Sequence, residues 1–239
     1  MTIAEDKFEL TELLMRFIAG LRLEWISVSQ VKILTGECIS SDAQELMVLE
    51  SDLTLDINIV GAGGRDAGVE AASTWYYIWL IKNLFTNQVS GVISANSAAP
   101  TLPSGYTKKR LLGFIRNNAA SNFLNFESCG EGFQRTIFYI EPVDSVLQVL
   151  ASGNAVVWTP ISLATLVPPL TRNAILTSWV TSKDAWFRQS GTIPATQHLI
   201  AQQGLDFNIL TDSNQNIDYY VLTVAGRVFV SVRGFCYRA

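Results

Sequence analysis

Between Leu53 and Val60 the chain reads LTLDINIV, with Leu53, Leu55, Ile57 and Ile59 alternating against Thr54, Asp56 and Asn58. A period of two marks a strand with one buried and one solvated face, and a helix cannot satisfy it. The same alternation runs through LRLEWISV, where Leu21, Leu23 and Trp25 alternate with Arg22 and Glu24. The stretch STWYYIWLIKN (73–83) is aromatic and β-branched throughout, the pattern of a strand buried on both sides or at an interface. Further strands are predicted over 89–95, 109–116, 134–141, 171–181, 218–224 and 227–237. Gly, Pro, Asn and Ser clusters divide them, at 96–107, 166–173 and 210–216. The last two strands meet at Ala225-Gly226, the spacing of a two-residue hairpin. Many short strands separated by turns predict a mainly β fold, an antiparallel β-sandwich of jelly-roll-like type.

Helical periodicity occurs at the start. In FELTELLMRFIAG, Leu10, Leu13, Leu14, Phe17 and Ile18 share one helical face, and Gly20 stands where a C-cap belongs. This predicts a short N-terminal helix, packed on its own domain or serving attachment and oligomerisation. Two further short helices are expected, over 143–151 and 195–203. The expected organisation is a helical attachment segment (1–20), a β domain (21–142) and a C-terminal β region (143–239). That last region either completes the same sandwich or forms a separate part.

A chain of 239 residues, 49% hydrophobic and 16% charged, has ample apolar surface to bury, some of it between subunits. Its net charge of −4 supplies no global basic field for nucleic acid. Cys38, Cys129 and Cys236 lie far apart, without the spacing of a disulfide framework or a metal site. Free thiols made in a reducing cytosol are expected. The opening MTIAEDKFEL lacks a signal peptide's basic flank and apolar core, and no run reaches the length of a membrane span.

The stretch DINIVGAGGRDAG (56–68) invites comparison with a dinucleotide-binding loop. Gly61 and Gly63 fit the first two glycines of that pattern, but Asp66 occupies the third and would face a pyrophosphate. No crossover helix fits before the strand at 73–83, and no acid for a ribose occurs from 71 to 126. The glycines predict a sharp turn instead, with Asp66 bonding nearby backbone amides. His198 is the single histidine, with no acid within seven positions on either side, and is expected to be structural or at the surface. The carboxylates Asp52, Asp56, Asp66, Glu127, Glu131, Glu141 and Asp144 are scattered; a glycosidase pair could come from distant positions among them. The basic cluster Lys108, Lys109 and Arg110, with Arg116 beyond, would suit an anion or would blunt a sheet edge. Trp25, Trp75 and Trp79 fall within predicted strands and suit packing; Trp158, Trp179 and Trp186 would stack on sugar rings if exposed. No catalytic, cofactor-binding or metal-binding residue is assigned.

Three segments stand in a characteristic order: AGLRLEWISVSQV (19–31), GAGGRDAGVEAASTWYYIWLI (61–81) and APTLPSGYTKKRLLGFIRN (99–117). Together they resemble a β module of tailed-bacteriophage virion proteins, of tail-fibre or adsorption type, over about residues 19–142. Arg65, where an apolar residue is expected, and Glu70 depart from that pattern. The resemblance implies a structural virion protein without catalytic residues, assembled as a homo-oligomer, most often a trimer. Its implied partners are other virion proteins, held through the N-terminal segment, and a host-surface glycan. The implied location is the virion, tail before capsid. A capsid decoration or head-fibre protein, and a carbohydrate-binding or carbohydrate-cleaving adhesin, are the alternatives.

Overall fold

The computed structural model describes residues 16–142, 145–193, 197–200 and 202–239. Among these residues no helix forms, and the chain is mainly β with mostly antiparallel pairing. It divides into two compact units, one reaching to Arg135 and including Arg238–Ala239, the other comprising Thr136–Tyr237.

In the first unit the strands are β1 (Ile18–Gly20), β2 (Leu23–Ser27), β3 (Gln30–Ile33), β4 (Gly36–Ile39), β5 (Leu46–Leu49) and β6 (Leu53–Val60). There follow β7 (Gly64–Arg65), β8 (Trp75–Asn83), β9 (Val89–Ser94), β10 (Tyr106–Arg116) and β11 (Phe126–Cys129). A small sheet runs β1-β4-β5, and a larger one runs β10-β8-β9-β7-β6-β3-β2. The core lies on Leu23, Val31, Ile33, Met47, Leu55, Ile57, Ile78, Leu80, Val92 and Phe114, all fully or almost fully buried. β8 is buried on both faces, as its unbroken apolar run predicts, whereas β6 buries Leu55 and Ile57 but leaves Ile59 and Val60 exposed.

The N-terminal helix expected over Leu10–Ile18 lies largely outside the described residues, but its end is a strand. Ile18–Gly20 form β1, in register with Cys38, Glu37 and Gly36. Gly20 does have positive φ, yet it closes this strand instead of capping a helix: a Cβ there would lie 2.3 Å from the Thr35 carbonyl oxygen. Pairing with β4 has overridden the local helical spacing. Arg135, itself buried, fixes the same corner by donating from its guanidinium to the carbonyls of Gly20 and Leu21 at 2.6 Å.

The second unit contains β12 (Gln134–Tyr139), β13 (Gln148–Gly153), β14 (Thr159–Ser162), β15 (Asn173–Val180) and β16 (Ala185–Gln189). It continues with β17 (Gln197–Leu199), β18 (Gly204–Leu210), β19 (Asn216–Val221) and β20 (Val228–Arg238). One sheet has the order β12-β20-β15-β18, with β13 also on β20; a second has the order β14-β19-β16-β17. Three sequence expectations are corrected here. Residues 148–151 and 197–199 are strands where short helices were expected, because β20 and β16 offer them edges to pair with. The strands flanking Ala225-Gly226 do not form a hairpin: β19 already pairs with β14 and β16, and β20 with β15. The turn carries the chain from one sheet to the other.

Candidate functional site

The glycine loop is built into its sheet. Gly64 and Arg65 form β7, parallel to β6 on one side and β9 on the other. The Gly61 amide donates to the Arg65 carbonyl, that of Gly63 to Gly91 and that of Gly64 to Gly61, at 2.7–3.0 Å. The amides that would cradle a phosphate are therefore spent on the fold. Arg65 ties the turn down by donating to the carbonyls of Ile57 and Gly68. Asp66 accepts from the Ala67 amide at 2.8 Å and the Thr101 amide at 2.7 Å, the turn-forming role its position predicts.

The other sequence candidates disperse. β10 is an edge strand, and its basic cluster is engaged within the unit. Lys108 pairs with Asp42, Lys109 lies over the Trp79 ring, and the largely buried Arg110 donates to the Ala239 carbonyl. Asp52 accepts from the Thr35 amide, and Asp56 from Gln30 and Asn58. The Asn58 amide, followed by the Gln30 side chain, holds the Asp56 carboxyl below the usual carboxylate range. Asp144 lies outside the described residues. Among the described residues no three His, Cys, Asp or Glu side chains gather as metal ligands.

A cluster that the sequence does not announce lies on the sheet β14-β19-β16-β17. Strand alternation gives this sheet two different faces. One carries Ile161, Ile217, Tyr219, Val221, Ala185, Phe187 and Leu199, all buried. On the other, cross-strand register sets Trp186 opposite Tyr220 on β19 and opposite His198 on β17. Trp158, just before β14, joins them. The Trp158 and Tyr220 rings are 5.7 Å apart, those of Tyr220 and Trp186 5.4 Å, and those of Trp186 and His198 4.6 Å, stacked at 4°. Four rings thus form a row across four strands, about 14 Å long at the usual strand spacing.

The row encloses an open groove of about 430 Å³, lined by Val156, Val157, Trp158, Trp186 and Tyr220. The segment bearing Val156 and Val157 is held in place by the Val221 amide, which donates to the Ala155 carbonyl at 2.8 Å. Arg188 supports the near end: its guanidinium lies 4.1 Å from the Trp158 ring centroid and donates to Asp218 at 3.0 Å. Asp218 is buried and also accepts from the Ser190 hydroxyl and the Gly191 amide. At the far end His198 Nε2 meets the Asp184 carboxylate at 3.0 Å. This acid, 14 residues away in sequence, lies beyond the window in which His198 looked isolated. Trp179, by contrast, stands away from the row on β15, 48% exposed, with its ring against Gly204.

No family model matches this chain, and no curated protein or solved structure does so.

Proposed function

We propose that this chain is a structural component of a tailed-bacteriophage virion, a tail-fibre or adsorption-type protein, with a β-sandwich body of jelly-roll type and a homotrimeric assembly. The observation that carries this reading is the placement of the three ordered segments. They supply the end of β1, then β2 and the start of β3, then β7 and β8, then β10; all but β1 are strands of one sheet whose glycine turn and aromatic strand are inner members. Neighbouring positions in one sheet support reading these segments as parts of one module.

Exposed apolar side chains support assembly. In the first unit Phe85 is 99% exposed and Val69 83% exposed, and Ile59 and Val60 are also open to solvent. Large apolar side chains this exposed are the ones that an assembly would cover. A homo-oligomer covers them with a second copy of the same chain. Size-exclusion chromatography with light scattering tests the assembly. A trimer gives about 79 kDa from the 26.3 kDa chain; a monomer at every concentration overturns the oligomeric part of the reading.

A further inference from the structure

We propose that the groove between Trp158 and Trp186 is a saccharide-binding site, which takes an uncharged pyranose against its rings and holds it without cleaving it. This inference stands independently of virion membership.

The groove is lined by the indoles of Trp158 and Trp186, the phenol of Tyr220 and the side chains of Val156 and Val157. His198 covers one face of Trp186, and Arg188 covers one face of Trp158. Each indole is thus braced on one face. A pyranose ring presents C–H groups on its faces and hydroxyls around its edge, so it needs both apolar ring surface and hydrogen-bonding groups. The second requirement is met as well. The indole N–H groups of Trp158 and Trp186 and the Tyr220 hydroxyl have no hydrogen-bond partner among the described residues. They belong to half-buried side chains that line the groove, where a bound hydroxyl would take the place of water. The volume lies within the range of ordinary small-ligand sites.

Charge selects among ligands. A three-ring aromatic site also suits a quaternary ammonium group. Here, however, the Arg188 guanidinium already occupies the cation position on Trp158, so that ring face is not open to a second cation. An anion would meet Asp184 at the far end and find Arg188 already neutralised by Asp218. An uncharged, hydroxyl-rich ring avoids both penalties. Cleavage is not expected, because Asp218 is held by three donors and Asp184 by His198. Neither carboxyl is poised as a general acid opposite a second, nucleophilic one.

The test uses the full chain and a panel of neutral oligosaccharides of glucose, mannose, galactose and N-acetylglucosamine, read by tryptophan fluorescence and calorimetry. Tetramethylammonium serves as the cationic probe, and a reducing-end assay reports cleavage. At least one neutral oligosaccharide should bind, and Trp186→Ala should weaken it about tenfold or more. Tyr220→Phe, which removes only the hydroxyl, should weaken it a few-fold and keeps the test valid if Trp186→Ala fails to fold. Trp179→Ala should leave binding unchanged. Absence of binding across the panel would overturn the proposal, as would binding indifferent to both groove variants, tetramethylammonium binding in place of sugar, or release of reducing ends.

Discussion

Gly64→Ala should destabilise the protein far more than Gly63→Ala, one residue away in the same loop. A Cβ on Gly64 would lie 2.3 Å from the Ile59 carbonyl oxygen and 2.7 Å from that of Asp56. Both obstacles are backbone, fixed by the β6-β7-β9 pairing, so neither can rotate aside. Overpacking against mobile side chains costs about 1–3 kcal/mol, and a rigid backbone places this case at the upper end, about 3 kcal/mol. A Cβ on Gly63 would meet nothing within 4 Å, and its cost is confined to a positive φ of 88°. That conformational term is about 1–2 kcal/mol. At about 3–4 °C per kcal/mol, Gly64→Ala should lower Tm by about 10 °C and Gly63→Ala by about half as much. Scanning calorimetry and urea unfolding followed by tryptophan fluorescence would measure both. Equal effects, or a milder effect at Gly64, would refute the claim that close backbone packing sets the loop. NAD or ATP should leave the transition where it is, since the loop amides are already bonded; stabilisation by either would restore a nucleotide role.

Other consequences follow from named contacts. Arg135→Met strips the donor from the carbonyls of Gly20 and Leu21 and should cost about 3 kcal/mol by urea denaturation; Arg135→Lys should not restore it, because one ammonium cannot reproduce the planar fork. Cys129 should react readily with a thiol reagent at pH 8, whereas Cys38 should react only on unfolding: it is fully buried, and burial pushes its thiol up to about 12. Stability should fall on acidification. Asp42 and Asp212 titrate below the usual carboxylate range because hydrogen bonds outweigh the desolvation that acts upward, and Asp56 does so through the Asn58 amide and Gln30. The unfolded chain binds protons first, so the contribution is full at neutral pH and declines from about pH 5 downward; a flat Tm between pH 6 and pH 3 would contradict this.

The legible parts of the fold were those with long, unambiguous periodicity. β6, β8, β10, β15 and β20 span 8–11 residues each, and their alternation or continuous apolar character could be recognised directly. β4, β5, β14 and β17 have only three or four residues, too few to show a period. β13 misled because Val146, Leu147 and Leu150 have helical spacing, while the strand exists through its irregular pairing with β20. The turn at Ala225-Gly226 has the residues of a hairpin, but which sheet receives each flanking strand is a tertiary matter. The aromatic row was hidden for the same reason. Trp158, Trp186, His198 and Tyr220 come from four separate strands or strand ends, and only cross-strand register makes them neighbours. The sequence could flag the tryptophans individually; it could not show that two of them meet the same tyrosine.

The virion reading is tested most directly by immunogold electron microscopy, with antibodies against the purified chain applied to phage particles released from cells that express it. The account predicts gold at the tail or its tip. Gold confined to the capsid would transfer the protein to a decoration or head-fibre role. Particles that carry no label, with the chain found only free in the lysate, would contradict a structural role in the virion.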